Sequence, residues 1–191
     1  AINGYSFRGC TALKEIEIPA NVTKLYCNVF ENCKALEKAV FNSGTTTVYE
    51  YAFLNCTALT ELTLPDTLTF MGRNAFENCS ALPAVTLPDS ITSIGFEAFK
   101  NCTSLAEINF PLGWISAPTH NGYYDGPNYQ GQIFEGCTSL KKIVVPEGVE
   151  KIPDCAFSYC TYLEEIVIPS TVKTIGNYAF FGCTGLKTVT M

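Results

Sequence analysis

Short segments in which apolar and polar residues alternate recur along the whole chain. In Leu13–Pro19 (LKEIEIP) apolar residues occupy every second position towards the end, which is typical of a short strand with one buried face. Proline follows the alternation in six of these segments. It predicts the end of the strand, because proline has no N–H for the next rung of a ladder. A second apolar pair follows the corner, as in Val22 and Leu25.

The alternating segments belong to a repeat of fixed length. Cysteines mark its period, which is 23 residues everywhere except for one interval of 35 residues between Cys102 and Cys137. The marker cysteines are Cys10, Cys33, Cys56, Cys79, Cys102, Cys137, Cys160 and Cys183. A phenylalanine stands three residues before each marker, and a leucine stands three residues after it. Because no single unit can bury its own apolar positions, the repeat predicts a stack of coils with equivalent residues in ladders about 4.8 Å apart.

The segment that leads to each marker cysteine is predicted to form a short helical turn. Glycine or asparagine precedes the cysteine in seven of the eight units. Both residues enter the left-handed backbone region at low cost and can close such a turn. Tyr159 is the exception, so a locally altered turn is expected there. Gly72, Gly95 and Gly176 suggest a second bend in three of the units.

The unit LxxIxIPxxVxxIGxxAFxxCTx resembles the 23-residue leucine-rich repeat of the BspA-like family of bacterial and protozoal surface proteins. The proline, the Ala-Phe pair and the cysteine recur together at fixed offsets, although Asn42-Ser43-Gly44 replaces the proline corner in the second unit. The resemblance implies a secreted or cell-surface protein with a role in adhesion. The expected fold class is a β-rich α/β protein, a right-handed leucine-rich-repeat solenoid of about eight 23-residue coils with short strands and short helical turns.

The unbroken period favours a single domain over residues 1–191. Ile2 and Met191 both occupy positions in the middle of a unit, and neither end has the polar cap that a solenoid needs. We therefore expect the chain to be a fragment of a longer protein with uncapped ends. The 12 extra residues of the long interval predict an insertion at about 112–132.

The composition narrows the classes of partner. The net charge of −6 and the pI near 4.8 argue against nucleic acid, which is bound by clustered lysines and arginines. No stretch of about eighteen apolar residues occurs, so membrane insertion within this segment is not expected. The expected partner is a host or neighbouring-cell protein, such as one of the extracellular matrix, or a glycan.

The cysteines and the single histidine offer little catalytic chemistry. Cysteines of one ladder would have parallel Cβ directions about 4.8 Å apart, which favours buried thiols over disulfides. Zinc is disfavoured because the close CxxC spacing of structural sites is missing. Cys27 and Cys155 stand outside the ladder, and either is a candidate for a partly exposed, reactive thiol. With one histidine and no GxSxG or phosphate-binding motif, we expect no enzyme activity, no metal and no cofactor.

One candidate binding surface is the outward face of the main strands. Its columns are mixed and mostly polar, and solenoids engage partner proteins through extended faces of this kind. The charged candidates are Glu15, Glu17, Lys38, Glu61, Lys142 and Glu165. An ordinary solvated sheet face has the same composition, so this alternative stays open.

The insertion is the second candidate surface, because insertions in repeat proteins form loops on one face. Its aromatic side chains suit recognition, since tyrosine and tryptophan give large contact areas at low entropic cost. The candidate residues are Trp114, His120, Tyr123, Tyr124, Asp125 and Tyr129. Alternatively, the loop folds onto the solenoid as a plug. We expect Trp114 and one tyrosine to pack inward and the other tyrosines to stay exposed.

These observations favour a non-catalytic protein-binding or adhesion module, located outside the cell or on its surface. A structural spacer that projects another domain is an alternative, and a featureless surface would favour it. Carbohydrate recognition through the aromatic insertion is a further alternative, because flat aromatic rings also suit sugars.

Overall fold

The computed structural model describes residues 1–116 and 132–191, which form a stack of coils joined by parallel strands. One main strand lies in each coil, and eight of them follow one another, so the chain makes about seven turns. The main strands are β1 (Glu15–Ile18), β3 (Lys38–Phe41), β5 (Glu61–Thr63), β7 (Ala84–Val85), β9 (Glu107–Ile108), β10 (Lys142–Val144), β12 (Glu165–Val167) and β14 (Thr188–Thr190). Second strands follow the corners: β2 (Lys24–Leu25), β4 (Thr47–Val48), β6 (Phe70–Met71), β8 (Ser93–Ile94), β11 (Lys151–Ile152) and β13 (Thr174–Ile175).

Equivalent residues of neighbouring coils lie side by side. Glu15 pairs with Lys38, and Lys38 pairs with Glu61, so the register between coils equals the 23-residue period. The second strands follow the same rule, as in the pairing of Lys24 with Thr47. The predicted solenoid of stacked, parallel strands is therefore confirmed.

The phenylalanines form one continuous stack inside the solenoid. Neighbouring rings from Phe7 to Phe180 have centroids 5.0 to 6.0 Å apart and are nearly parallel. The stack even crosses the long interval, where the rings of Phe99 and Phe134 are 5.8 Å apart. Aromatic pairs of this kind add about 0.5–1.5 kcal/mol each beyond the apolar area they bury. The insertion therefore leaves this part of the core intact.

The predicted helical turns are wrong, since none of the residues in 1–116 and 132–191 lies in a helix. Within those ranges no helix is long and apolar enough to cross a bilayer. The turn backbone hydrogen bonds to the next coil instead: Asn28, Phe30 and Asn32 donate their N–H groups to the carbonyl groups of Glu50, Ala52 and Leu54. A helix would need those N–H groups for its own carbonyls. The "α/β" part of the predicted fold class is therefore wrong, and the fold is β.

Each turn contains two left-handed residues, four positions apart. The position before each marker cysteine is left-handed, as predicted, with φ from 58° to 74°. Tyr159 has φ 58° like the others, so the altered turn expected there is not found. The second left-handed column was not predicted, and φ there ranges from 46° to 63°. Its members are Tyr5, Asn28, Tyr51, Asn74, Glu97, Gln132, Cys155 and Tyr178.

The asparagines before the marker cysteines form a side-chain ladder. Asn55 Nδ2 donates to Asn32 Oδ1 at 2.9 Å, and Asn78 Nδ2 donates to Asn55 Oδ1 at 2.7 Å. Asn101 continues the ladder with a 3.0 Å bond to Asn78. The ladder stops at Gly136, where an added Cβ would lie 2.3 Å from Asn101 Oδ1. Asparagine thus serves both the left-handed turn and the bonding between coils.

Gly72, Gly95 and Gly176 were expected to mark a bend, but none of the three has a positive φ. They lie where neighbouring coils approach closely. A Cβ on Gly95 would lie 2.4 Å from the backbone nitrogen of Arg73, and one on Gly72 would lie 2.6 Å from that of Glu50. Glycine is required at these positions for backbone contact rather than for backbone conformation.

None of the ten cysteines forms a disulfide, which confirms the prediction of thiols. Those of the middle coils are buried, and their Sγ atoms donate to a phenylalanine carbonyl of the preceding coil, as Cys56 does to Phe30 at 3.2 Å. Cys155 is also buried, and Cys27 is half-buried and bonded to Glu50 at 3.1 Å. Burial, chiefly, raises the pKa of each of these two thiols to about 11. The partial exposure expected for either thiol is found for Cys27 and not for Cys155, and the raised pKa opposes formation of a reactive thiolate at both positions.

The raised pKa values of Cys27 and Cys183 predict that the folded protein loses stability at alkaline pH. Burial raises the pKa of Cys27 and Cys183 from 9.0 to about 11, so the folded state holds their protons more tightly than the unfolded chain does. The stabilisation is complete below pH 9.0 and is lost as the pH rises through 11. We expect the urea midpoint to be constant from about pH 7 to pH 8.5 and to fall beyond pH 9. The double variant Cys27→Ala/Cys183→Ala should show a smaller fall, and an equal fall would contradict the explanation.

Candidate functional site

The structure fixes where the insertion leaves the solenoid and where the chain returns. Ser116 still pairs with Ser93 in the expected register, and Gln132 takes the left-handed position that Glu97 holds one coil earlier. Fifteen residues lie between them, where a regular coil has three, and this accounts for the 12 extra residues. The insertion therefore leaves after a second strand and returns before a turn. Its predicted recognition residues lie outside the described residues and stay predictions: His120, Tyr123, Tyr124, Asp125 and Tyr129.

Trp114, at the entrance of the insertion, belongs to the core. Its side chain is 2% exposed, and its ring centroid lies 5.1 Å from that of Phe110 and 6.0 Å from that of Phe157. The indole Nε1 donates to the Ser116 carbonyl at 3.1 Å, so the one polar atom of the ring is satisfied. The inward packing expected for Trp114 is confirmed. As a consequence, Trp114 is not available to a partner and leaves the set of candidate binding residues.

The charged candidates on the main-strand face pair with one another. Lys38 and Glu61 form an ion pair at 2.8 Å, and Lys142 and Glu165 form one at 2.7 Å. The hydrogen bond to Glu61 raises the pKa of Lys38. Exposed pairs of this kind contribute little stability, about 0–1 kcal/mol each. Their main effect is to neutralise the charge of most of the face.

The two remaining acidic candidates are less strongly engaged. Glu17 Oε1 accepts a 2.8 Å hydrogen bond from Asn42 Nδ2, and Glu15 adds to the electrostatic effect on Lys38. Both are exposed on the first main strand. They lie far along the stack from the feature described next.

The sheet of main strands is interrupted in two places. No ladder joins β5 to β7, and none joins β9 to β10, so the sheet consists of segments of three, two and three strands. At the first interruption Pro83 stands directly before β7 and has no N–H to give to the preceding coil. At the second interruption the coils remain in contact just before the strands, where Ser139 Oγ donates to the Thr103 carbonyl at 2.7 Å. The two strands then separate.

A groove of about 520 Å³ lies on the main-strand face across β7, β9 and β10. We call it the seam groove; its lining includes Ala84, Ala106, Glu107, Asn109, Lys142 and Val144. The two alanines leave room that longer side chains would fill. Phe110 and Trp114 pack behind it against Phe157 of the next coil, so bulky rings occupy the interior where the strands part. The groove is thus open to solvent on the strand face, and aromatic side chains fill the core beneath it.

Asn109 fixes one end of the seam groove. Its Oδ1 accepts a hydrogen bond from the Leu87 N–H at 2.7 Å, and its Nδ2 donates to the Leu87 carbonyl at 2.8 Å. The side-chain amide therefore takes the place of a backbone partner for Leu87, which follows β7. The strand β9 has two residues, whereas the equivalent strand β1 has four.

Glu107, like Glu15 and Glu17, differs from the ion-paired glutamates of the face, Glu61 and Glu165. It pairs in register with Ala84 and forms no ion pair with any residue that the structure describes. Lys142, on the other side of the seam, is bonded to Glu165. Val144 nearby is 52% exposed, a large fraction for a valine. Within the described part of the chain, the groove therefore combines a carboxylate that has no ion pair with exposed apolar surface.

A cluster of polar side chains in the turns joins neighbouring coils through hydrogen bonds and an ion pair. We assign it a structural role. The buried Asn74 donates to Glu77 at 2.7 Å and to Glu97 at 3.0 Å, and Lys100 pairs with Glu97. Burial raises the pKa of the Glu77 carboxyl. In the described ranges no group of three histidine, cysteine or acidic side chains is arranged to hold a metal ion.

The period, the parallel strands and the phenylalanine stack define a leucine-rich-repeat solenoid. The family model for the BspA type leucine rich repeat region matches six copies over residues 1–120 and 128–191. The chain therefore belongs to the BspA-type leucine-rich repeat family. A comparison with curated proteins finds no significant match.

Solved structures with the same architecture come from bacteria. A leucine-rich repeat protein from Bacteroides ovatus is 27% identical, with a TM-score of 0.65 over 99% of this chain and 58% of that chain. The leucine-rich repeat protein of T. pallidum is 25% identical, with a TM-score of 0.69 over 91% of this chain and 78% of that chain. This chain thus spans little more than half the length of the Bacteroides ovatus protein.

Proposed function

We propose that this chain is a non-catalytic protein-binding module of a secreted or cell-surface protein and acts in adhesion. The seam groove is the observation that carries the proposal. It lies at one of the two interruptions of the sheet. Among the residues that the structure describes, it combines strand edges without a pairing strand, a carboxylate without an ion pair and exposed apolar surface. Strand edges without a pairing strand are templates for another chain, and natural proteins usually cover or avoid them.

The chemistry of the face favours a protein partner. Glu107 lies in the groove, and the whole chain carries a charge of −6, which opposes binding of nucleic acid. The nearest exposed apolar side chain is an aliphatic valine, and an aliphatic surface suits protein side chains better than sugar rings. The partner we propose is a host or neighbouring-cell protein exposed outside the cell.

A structural spacer is the second candidate. The ion pairs of Lys38 with Glu61 and of Lys142 with Glu165 favour it, because they leave much of the face neutral and self-satisfied. A spacer needs only the rigidity of the stacked coils. Recognition of glycans by the insertion stays a prediction from the sequence.

Surface plasmon resonance against a panel of purified extracellular-matrix and epithelial surface proteins tests the proposal. We expect the chain to bind at least one protein of the panel. The variant Ala106→Trp, which fills the seam groove, should weaken that binding by about tenfold or more, which equals about 1.4 kcal/mol. The matched control Ala12→Trp adds the same ring at another exposed alanine and should bind like the original chain.

Three outcomes would contradict this proposal. Absence of binding across the panel would favour the spacer. Binding that Ala106→Trp leaves unchanged would move the interface away from the seam groove. Binding of a glycan array that Tyr124→Ala abolishes would assign recognition to the insertion instead.

A further inference from the structure

We propose that the seam groove receives an extended polypeptide segment that presents a basic side chain to Glu107. This inference rests on the proposed function and specifies the chemistry of the partner at the same site. Four properties of the groove support it: its strand edges, its charge, its small side chains and its size.

Within residues 1–116 and 132–191, no strand pairs with the edges of β9 and β10 that face the seam. β9 and β10 occupy successive coils and run in the same direction, yet no ladder joins them, whereas β10 and β12 pair over three residues. The facing N–H and C=O groups of such edges are templates for another strand. An extended segment can satisfy them with its own backbone, as in the addition of a strand to a sheet.

The charge in the groove selects the partner's side chain. Glu107 has Ala84 beside it on β7, and Lys142 across the seam is held by Glu165 at 2.7 Å. Lysine or arginine on the partner would give Glu107 the ion pair that Glu61 and Glu165 already have. A pair in a groove is screened by water less than one on an open face, so it adds specificity and accelerates association.

The small side chains set the neighbouring positions of the segment. Ala84 and Ala106 line the groove, and Val144 contributes exposed apolar surface. Side chains of an extended segment alternate between its two faces, so a basic residue that points to Glu107 is followed two positions later by a residue that points to the same face. At that second position we expect a small or β-branched apolar residue. The predicted pattern is basic–any–apolar.

The size of the groove limits the partner to a short segment. Its volume of about 520 Å³ is in the usual range for a ligand cleft. One carboxylate does not make a metal site, since calcium and magnesium need several oxygen ligands. Aromatic rings that could stack on a sugar are lacking among the lining residues that the structure describes. These observations leave a peptide as the best match.

Selection from a displayed library of random dodecapeptides tests the inference, with the Ala106→Trp chain used for counter-selection. We expect enriched sequences to share the basic–any–apolar pattern. The synthetic peptide of the leading sequence should bind the original chain and lose about tenfold or more in affinity for Glu107→Lys. Glu107→Gln should cause a smaller loss, because it removes the charge and keeps the shape. The loss should shrink in high salt.

Two controls test whether binding depends on the charge at Glu107 in particular and on backbone hydrogen bonds of the peptide. Glu61→Lys makes the same charge change on the same face outside the groove, and it should bind the peptide like the original chain. The same peptide with N-methyl groups at alternate residues should lose binding, because it cannot donate the backbone hydrogen bonds of an added strand.

The results distinguish this inference from the proposed function. If a protein of the panel binds the groove while the library yields no groove-dependent peptide, the extended-segment inference is wrong and the proposed function stands. Enriched peptides without a basic residue, or peptides that bind Glu107→Lys equally well, would overturn the role of Glu107. If neither proteins nor peptides bind, both proposals fail.

Discussion

Replacement of Trp114 by alanine is expected to lower the free energy of unfolding by about 3–5 kcal/mol, the usual range for a buried tryptophan. The side chain is 2% exposed and contacts the rings of Phe110 and Phe157, which belong to different coils. Its removal leaves a cavity and also an unfilled interior behind the seam groove. Urea unfolding followed by far-ultraviolet circular dichroism measures the change.

Two further variants serve as controls for Trp114→Ala: a conservative change at the same position and the removal of an exposed aromatic side chain elsewhere. Trp114→Phe keeps an aromatic ring in the core and should cost less than the alanine variant. Tyr162→Ala removes an aromatic side chain that is 44% exposed, and it should cost about 1 kcal/mol or less. If Trp114→Ala costs no more than Tyr162→Ala, the indole does not support the junction of the two coils. Weaker binding at the groove in Trp114→Phe would further show that the core shapes the site.

The second large effect is expected for Phe76→Ala, which removes one ring from the middle of the phenylalanine stack. Phe76 is fully buried, and its ring lies 5.1 Å from that of Phe53 and 5.5 Å from that of Phe99. The change deletes two ring contacts and opens a cavity, so we expect a loss of about 3–5 kcal/mol. Because each coil contacts only its neighbours, the destabilisation should be largest in the coils next to Phe76 and should decrease with distance along the stack. Urea unfolding gives the total, and amide hydrogen exchange locates it.

Phe7→Ala provides the matched control, since it is the same change in the same column. Phe7 is 38% exposed at one end of the stack and contacts one ring, that of Phe30. We expect a loss of about 1 kcal/mol or less, because little buried area is removed. Hydrogen exchange in Phe76→Ala should rise most in the coils of Phe53 and Phe99. Equal losses for Phe7 and Phe76, or exchange that rises uniformly, would contradict a stack in which only neighbours interact.

Much of the fold could be predicted from the sequence because the repeat makes every structural constraint visible eight times. The alternation in Leu13–Pro19 predicts the strand, and the period predicts its register with the next coil, as the pairing of Glu15 with Lys38 confirms. The thiols were also predictable, since stacked cysteines with parallel Cβ directions are poorly placed for disulfides. For the strands, their register and the thiols, the residue pattern along the chain and the packing between coils favour the same structure.

The turns were less predictable, because their hydrogen bonds are formed between coils. Asn32 and Gly136 indicate left-handed positions, but Tyr51, Glu97 and Cys155 adopt the same conformation without any favourable residue type. Their neighbours in the stack impose it, at an energetic cost that side-chain chemistry alone does not reveal. A single turn considered by itself therefore resembles a helix.

The candidate site was predicted only in part. The main-strand face was identified, but the charges chosen on it, such as Lys38 and Lys142, neutralise each other with glutamates of the next coil. Glu107 was passed over, although Pro83 and the 35-residue interval both signal that the ladder is interrupted nearby. Those signals could locate an irregularity, but they could not reveal that the strands part into a groove.

The sequence by itself determined the period, the strand register, the phenylalanine stack and the family, because these depend on residue types repeated at fixed spacing. The tertiary structure alone decided that the turns form their hydrogen bonds between coils, that the ring of Trp114 packs against Phe157, and that no ladder joins β9 to β10. The physical reason is that these features depend on how neighbouring coils fit together in space. Whether Phe110 and Trp114 reach Phe157 follows from that fit and not from any spacing along the chain. The same fit decides whether Glu107 finds an ion-pair partner among the residues that the structure describes.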